Sequence, residues 1–323
     1  MYENSAGKKM FGVLVVTIWY LAAFLPAQAD WMEKQKLLAS DGAIDDYFGM
    51  SVSITDDGFY AIVGVPYDDD NGNSSGSAYI FKWNGTSWIE HQNLLASDGV
   101  ASDYFGHSVS ISGDYAVVGA FYDDDNGSNS GSAYVFKRAL KYVPPNFVWV
   151  FEEQVKLLPA DGDADDHFGF TVFISGDYVI VGAPSDDDKG SESGSAYIFK
   201  RYDLDWLQQA KLIASDGSAD DNFGHSVSIS GDYAIVGVPY DDDNGSGSGS
   251  AYIFKRDGVN WLQQPKLLAS DGAADDQFGM SVSISGDYAV VGAPNDDDKG
   301  SDSGSAYIFK RDAASWLQQP KRA

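Results

Sequence analysis

The stretch FGHSVSISGDYAIVGVPYDDDNGSGSGSAYIFKR, Phe223 to Arg256, carries three strand signals and one acidic loop in a single run. From Phe223 to Ser230 the pattern alternates, with Val227 and Ile229 on one side and Ser226, Ser228 and Ser230 on the other. A period of two is the signature of a strand with unlike faces. Ser230-Gly231-Asp232 then supplies a tight turn, because glycine reaches the positive φ that short hairpins need. YAIVGVP follows as a β-branched, apolar strand ended by Pro239, and SAYIFKR is the third strand, with Tyr252 and Phe254 on one face. WLQQPKLLAS from Trp261 reads as a fourth strand, and a second acidic loop, SDGAADDQ, leads to the next Phe-Gly pair.

That unit recurs. Phe-Gly stands at Phe48, Phe105, Phe168, Phe223 and Phe278, with spacings of 57, 63, 55 and 55 residues. The longer step reflects one insertion, RALKYVPPNFVW, between Phe136 and Phe151. Four antiparallel strands per unit, repeated five times, predict an all-β β-propeller of four-stranded antiparallel blades, each burying its faces on its neighbours. A β-solenoid is the alternative, but its rungs are usually shorter and lack this hairpin spacing.

The first 29 residues read differently. Lys8 and Lys9 precede the apolar run MFGVLVVTIWYLAAFLP, which ends in Ala27-Gln28-Ala29 before Asp30. A basic flank, a short apolar core and a small-residue cleavage site predict a signal peptide over 1–29, leaving 30–323 as one repeat domain without membrane insertion. An uncleaved anchor is the alternative, though a bilayer span needs roughly 20 apolar residues. The chain is expected in the secreted, extracellular or cell-surface compartment, with a periplasm also fitting. It has no cysteine, which excludes disulfides, thiolate metal sites and cysteine nucleophiles. The net charge of −27 argues against nucleic-acid partners and favours cations or basic surfaces.

The motif FGxSV…VVGAP…GSAYIF resembles the FG-GAP repeat, the unit of integrin α-chain propellers and of many bacterial secreted proteins, over about Trp31 to Gln319. The resemblance implies that Phe-Gly lies on the inner strand, and that the Asp-Asp-Asp and Ser-Asp-Gly loops share one face of the disc. It implies an extracellular protein or glycan as the partner. Integrin propellers carry about seven repeats, and their D-x-D-x-D-G calcium loops fall where this chain has only Ser-Gly-Asp, at Asp114, Asp177, Asp232 and Asp287, or Thr-Asp-Asp-Gly in the first copy. Those calcium sites are not carried over.

Tryptophans expected to open fourth strands number six: Trp31, Trp88, Trp149, Trp206, Trp261 and Trp316. Five blades need five, so the strand near Trp31 is expected to act as a clasp completing the last blade of a closed ring. An open array, or one paired with another chain, is the alternative.

The residues that carry the metal question are Asp68, Asp69, Asp70, Asp123, Asp124, Asp125, Asp186, Asp187, Asp188, Asp241, Asp242, Asp243, Asp296, Asp297 and Asp298. Their oxygens and the following glycine suit Ca2+, although the register lacks the leading carboxylate of an EF-hand loop. A cation held by two loops, with Asp220 and Asp221 assisting, competes with a solvated Asx turn. Catalysis is not expected: every paired carboxylate recurs in all units, and His91, His107, His167 and His225 join no nucleophile. The Tyr and Phe of SAYIF suit sugar stacking or interblade packing. The expected function is Ca2+-dependent or independent binding or adhesion through an acidic face. A five-site lectin and a structural surface or matrix component are the alternatives.

Overall fold

The computed structural model describes residues 33–313 and 315–320; the expected signal peptide and Trp31 lie outside the described residues. Internal contacts divide the chain into residues 1–36 and 37–323, and everything below concerns the second unit. Its described residues contain strands and turns and no helix.

The first sheet comprises β1 (Ser51–Ile54), β2 (Tyr60–Val65), β3 (Ser77–Trp83) and β4 (Trp88–Leu94). The second comprises β5 (Val109–Ser112), β6 (Tyr115–Ala120), β7 (Ser132–Val143) and β8 (Asn146–Leu157). In the third are β9 (Thr171–Ser175), β10 (Tyr178–Ala183), β11 (Ser195–Tyr202) and β12 (Asp205–Leu212). The fourth holds β13 (Ser226–Ser230), β14 (Tyr233–Val238), β15 (Ser250–Asp257) and β16 (Asn260–Gln263). The fifth holds β17 (Ser281–Ser285), β18 (Tyr288–Ala293), β19 (Ser305–Asp312) and β20 (Ser315–Gln318). Within each sheet the strands run antiparallel in sequence order, as the propeller reading requires. The Phe-Gly strands are innermost, and Ile54, Ile111, Ile174, Ile229 and Ile284 line one axial cavity.

Alternation along each strand sends side chains to opposite neighbours. Tyr60, Ile62 and Ile80 of the first blade pack with Phe105, Val109 and Tyr134 of the second. The same pairing of a trailing face with the next leading face recurs between blades two and three, three and four, and four and five. A ring contact closes each junction: Tyr60–Phe151, Tyr115–Trp206, Tyr178–Trp261 and Tyr233–Trp316, at 5.6–6.0 Å between centroids.

Glycines interlock the backbones at the same junctions. The Phe-Gly amide donates to the glycine carbonyl of its own second strand, as Gly106 N does to Gly119 O at 3.0 Å and Gly279 N to Gly292 O at 3.0 Å. The carbonyl of that same Phe-Gly glycine presses on the preceding blade. A Cβ on Gly64, Gly119, Gly182 or Gly237 would lie 1.9–2.0 Å from the carbonyl oxygen of Gly106, Gly169, Gly224 or Gly279. No side chain fits there.

Two expectations are corrected. The fifth sheet draws its fourth strand from its own Ser315–Gln318, so among the described residues that place is filled without an N-terminal clasp, while Trp31 itself lies outside the described residues. The second-blade equivalent of Trp206 is Phe151, not Trp149. The insertion lengthens β7 and β8 into one hairpin paired from Val143↔Asn146 onward, which carries Trp149 out to an exposed position.

Candidate functional site

Both acidic loops lie on one face and are hydrogen-bonded to each other, as Ser102 N to Asn73 O (2.9 Å), Asp165 N to Ser128 O (2.8 Å) and Asp275 N to Ser246 O (2.7 Å) show. Within each Asp-Asp-Asp run the three carboxylates do separate work. The first is buried and accepts the amide two residues on, forming an Asx turn: Asp68, Asp123, Asp186, Asp241 and Asp296 do so at 2.8–3.1 Å. The second reaches five residues ahead: Asp69, Asp124, Asp187, Asp242 and Asp297 accept the amides of Ser74, Asn129, Glu192, Gly247 and Asp302. Those five amides belong to residues with positive φ, except that Gly247 meets the strain without a side chain.

The third carboxylate, with the first, faces a cation supplied by the protein. Lys156 Nζ meets Asp123 at 2.8 Å, Asp98 at 3.0 Å, and Asp125. Lys211 meets Asp186, Asp161 and Asp188 at 2.8, 3.0 and 2.7 Å, and Lys266 meets Asp241, Asp216 and Asp243 at 2.9, 2.9 and 2.6 Å. The aspartate of Ser-Asp-Gly joins each of these lysine cages, while Asp221 accepts Ser218 N at 2.7 Å. A buried tyrosine completes each cage: Tyr134 and Tyr197 hydroxyls each donate to the first aspartate at 2.8 Å. Each lysine is held protonated above its ordinary range, the carboxylates outweighing burial.

The first blade breaks this pattern. Asn93 stands where the others have lysine, and its Nδ2 lies 3.1 Å from Asp70 and 3.2 Å from the Tyr79 hydroxyl. Asp41, Asp68 and Asp70 thus share a site that no lysine or arginine among the described residues neutralises. Burial, followed by the charges of Asp68 and Asp41, raises the Asp70 carboxyl. Asn93 Oδ1 is buried without a hydrogen-bond partner. In the fifth blade Tyr307 donates to Asp296, and the sequence equivalent of the lysine, Lys321, lies outside the described residues. Among the described residues no group of three or more acidic or histidine side chains has metal-binding spacing.

A further buried carboxyl sits below each loop. Burial pushes Asp103, Asp166 and Asp221 up to about 6, against the acceptor bonds they make to Val100, Asp163 and Ser218 amides. A carboxyl raised on folding costs stability that grows as pH climbs from about 4 to 6. Asp103→Asn keeps an acceptor for Val100 N and removes the charge. It is expected to melt higher than the parent at pH 7.5, by an amount worth about 1–2 kcal/mol, with the advantage gone at pH 4.5.

Residues that differ between copies gather near the axis on this face. Rings run from Tyr47 to Tyr67 (4.9 Å), Tyr104 (5.1 Å), Tyr122 (5.3 Å) and His167 (4.9 Å). A second file joins Phe121, His107, Phe170 and His225 at 4.5, 4.9 and 5.1 Å. Tyr47 and Tyr67 are 60% and 37% exposed. Tyr47, Tyr104 and His167 hold φ near +55°, a left-handed backbone that large residues seldom adopt. Sequence reasoning noted the histidines only as joining no nucleophile and missed the tyrosines, because nothing local brings residues of successive loops together. Burial lowers His107, His167 and His225, so they are neutral rings at pH 7. His167 Nδ1 lies 3.0 Å from Ser185 Oγ, and Asp165 Oδ1 accepts from Asn129 Nδ2 at 2.8 Å. His91 lies on β4 against Tyr60, not on a loop.

The profile of the FG-GAP repeat matches the chain five times, over residues 31–81, 88–136, 151–199, 206–254 and 261–309. The chain belongs to the FG-GAP repeat family. It is similar to human integrin alpha-6, 24% identical over 279 residues, which covers 77% of this chain and 22% of that protein. The chain thus spans about a fifth of the length of that relative. The start of the third match at residue 151 agrees with Phe151, rather than Trp149, as the structural start of the fourth strand.

Family and relative together indicate a β-propeller of the binding or adhesion kind. In the FG-GAP frame the interlocking glycines explain the motif: one is the Gly of Phe-Gly and its counterpart the Gly of Gly-Ala-Pro. The tyrosines and phenylalanines of these strands are buried in all five repeats, between blades in the last four and under Leu37 and Ala39 in the first, so any sugar would have to stack elsewhere. On the opposite face Arg138, Arg201, Arg256 and Arg311 pair with Asp114, Asp177, Asp232 and Asp287, which brings the Ser-Gly-Asp turns and Lys-Arg stretches together.

Proposed function

We propose that residues 30–323 form a secreted or cell-surface propeller, released from a signal peptide over 1–29, that binds without catalysis and takes a basic protein segment on its loop face. The observation that carries this reading is the aromatic arc from Tyr47 to His167, set among exposed loop carboxylates such as Asp45, Asp69 and Asp124. Aromatic faces and carboxylates both attract ammonium and guanidinium groups, and stacked tyrosines offer contact area at low entropic cost. A fluorescent oligo-arginine peptide is the probe. Tyr67→Ala with Tyr104→Ala should weaken its binding at least tenfold, by analogy with aromatic hot spots worth about 2 kcal/mol, while Tyr240→Ala on the fourth blade changes it little. Equal weakening by both variants would show charge attraction without a site.

The same proposal gives Ca2+ to the first blade. Asp68 and Asp70, with Asp41, carry the carboxylates there, and the lysine that neutralises Asp123, Asp125, Asp186, Asp188, Asp241 and Asp243 elsewhere is replaced by Asn93. Thermal melts in EDTA, Ca2+ and matched Mg2+ test this. A ligand at 100 times its Kd adds roughly 2.7 kcal/mol, so a Ca2+-selective rise of several degrees is expected, and Asn93→Lys should abolish it. An unchanged rise in Asn93→Lys would remove the first blade from the proposal.

A further inference from the structure

Four junctions in this chain each bury a trailing face against the leading face of the next blade, and two such faces are left over. On the trailing side of the fifth blade Tyr288, Val290 and Ile308 are 49, 41 and 47% exposed, where Tyr233, Ile235 and Ile253 of the fourth are 9, 0 and 0% exposed. On the leading side of the first blade Val52 and Ile54 are 67 and 56% exposed, where Val109 and Ile111 of the second are both 4% exposed. We propose that these faces are two halves of one interface, and that a second copy of this chain seats its first blade on the fifth blade of the first copy.

Several independent features of the four internal junctions are present in half at each end. A Cβ on Gly292 meets no glycine carbonyl, only Ser281, and a Cβ on Gly49 meets nothing within 4 Å, whereas Gly237 and Gly279 interlock. Ser51 and Ser53 hydroxyls accept the amides of Val109 and Ile111 on the next blade, and Ser228 accepts that of Ile284. Ser281 and Ser283 of the fifth blade stand in register to accept Val52 and Ile54 amides from another copy. Among the described residues no next-blade ring meets Tyr288, where Tyr60, Tyr115, Tyr178 and Tyr233 each have one. Leu37 and Ala39 already lie against the leading face of the first blade as Leu94 and Ala96 lie between the first and second. A cover for the trailing face must therefore present a Phe-Gly glycine, a β-branched inner strand and an aromatic ring. The leading face of the first blade has all three. The contact joins unlike faces and is head-to-tail, giving rings or filaments.

Sedimentation velocity on the full chain from 1 to 200 µM tests the proposal, with Val290→Lys and Val52→Lys as face-specific variants at exposed positions. Wild type should grow in mass with concentration. Each variant alone should remain a monomer, and an equimolar mixture should form a species of twice the monomer mass and no larger, because each variant retains the one face the other lacks. Circular dichroism confirms that both fold. A wild type monomeric throughout, as intrachain closure would give, overturns the proposal. So does self-association that survives in either variant alone, or a mixture that fails to pair.

Discussion

Gly237→Ala is expected to destabilise the chain by about 3–5 kcal/mol, although alanine is the better strand residue by roughly 0.5–1 kcal/mol. The added methyl would lie 2.0 Å from Gly279 O and 2.2 Å from Ser226 Oγ. The hydroxyl can rotate, but the carbonyl belongs to the backbone of the next blade, so relief requires moving two packed sheets apart. Close-packed interiors resist such shifts. Gly292→Ala is the internal control. Its methyl meets only Ser281, at 2.4 Å from Oγ, so a rotamer change suffices and the expected cost is about 1 kcal/mol or less. Urea unfolding of the two variants at a concentration where the chain is monomeric measures the difference directly. Equal effects would show that the glycines are retained for backbone freedom and not for close approach between blades.

Lys266→Met is expected to cost about 2–4 kcal/mol. The lysine side chain is 12% exposed and the Asp241 side chain 5%, so removing the ammonium leaves a carboxylate buried without its counter-charge. Asp216 and Asp243 are half exposed and partly solvated, which keeps the expected cost below the full penalty for an orphaned buried ion. Adding Asp241→Asn to Lys266→Met should recover at least half the loss, since the amide oxygen can still accept the Asp243 amide in the place of Oδ1, while the amide NH2 in the place of Oδ2 can donate to the Tyr252 and Ser250 hydroxyl oxygens. The loss should also shrink as pH falls toward the ordinary carboxylate range, because a buried carboxylate without a counter-charge takes up its proton above that range. Thermal melts of the single and double variants at pH 4 and 7.5 check both expectations. A pH-independent loss would assign the effect to packing of the lysine stem.

These two results mark where the sequence was legible. Alternation in FGHSVSIS and the turn at Ser230-Gly231-Asp232 report a local geometry, and every strand inferred from them is present. The shared face of the two acidic loops followed from the alternation of strand direction once the resemblance had placed Phe-Gly on the inner strand. The lysine cage was not legible, because Lys156 lies 33 residues from Asp123 and meets it only through the register of β7 with β8. A signal existed in the lysine five residues after Trp206 and Trp261, at Lys211 and Lys266, with Asn93 in its place after Trp88. The glycine contacts were hidden for a related reason: they join backbones of successive blades, and nothing local marks them. Trp149 misled because the insertion moved the pattern by two residues, and only the pairing of Arg138 with Phe151 restores the equivalence with Arg201 and Trp206.

The lengthened hairpin of the second blade shows how such an array can diversify. Its extra residues prolong β7 and β8 beyond Arg138 and Phe151, yet Tyr115 still pairs with Lys137 as Tyr60 pairs with Lys82. The inner two strands keep their register because insertion at the rim adds pairs to the outer strands without altering what the neighbouring blades meet. The rim is therefore open to growth, and the equivalent turns at Asp257-Gly258 and Tyr202-Asp203 are natural grafting points for a foreign loop. The axis is closed to it. An array built this way can vary its periphery one blade at a time while a constant inner layer sets the spacing at which those additions are displayed.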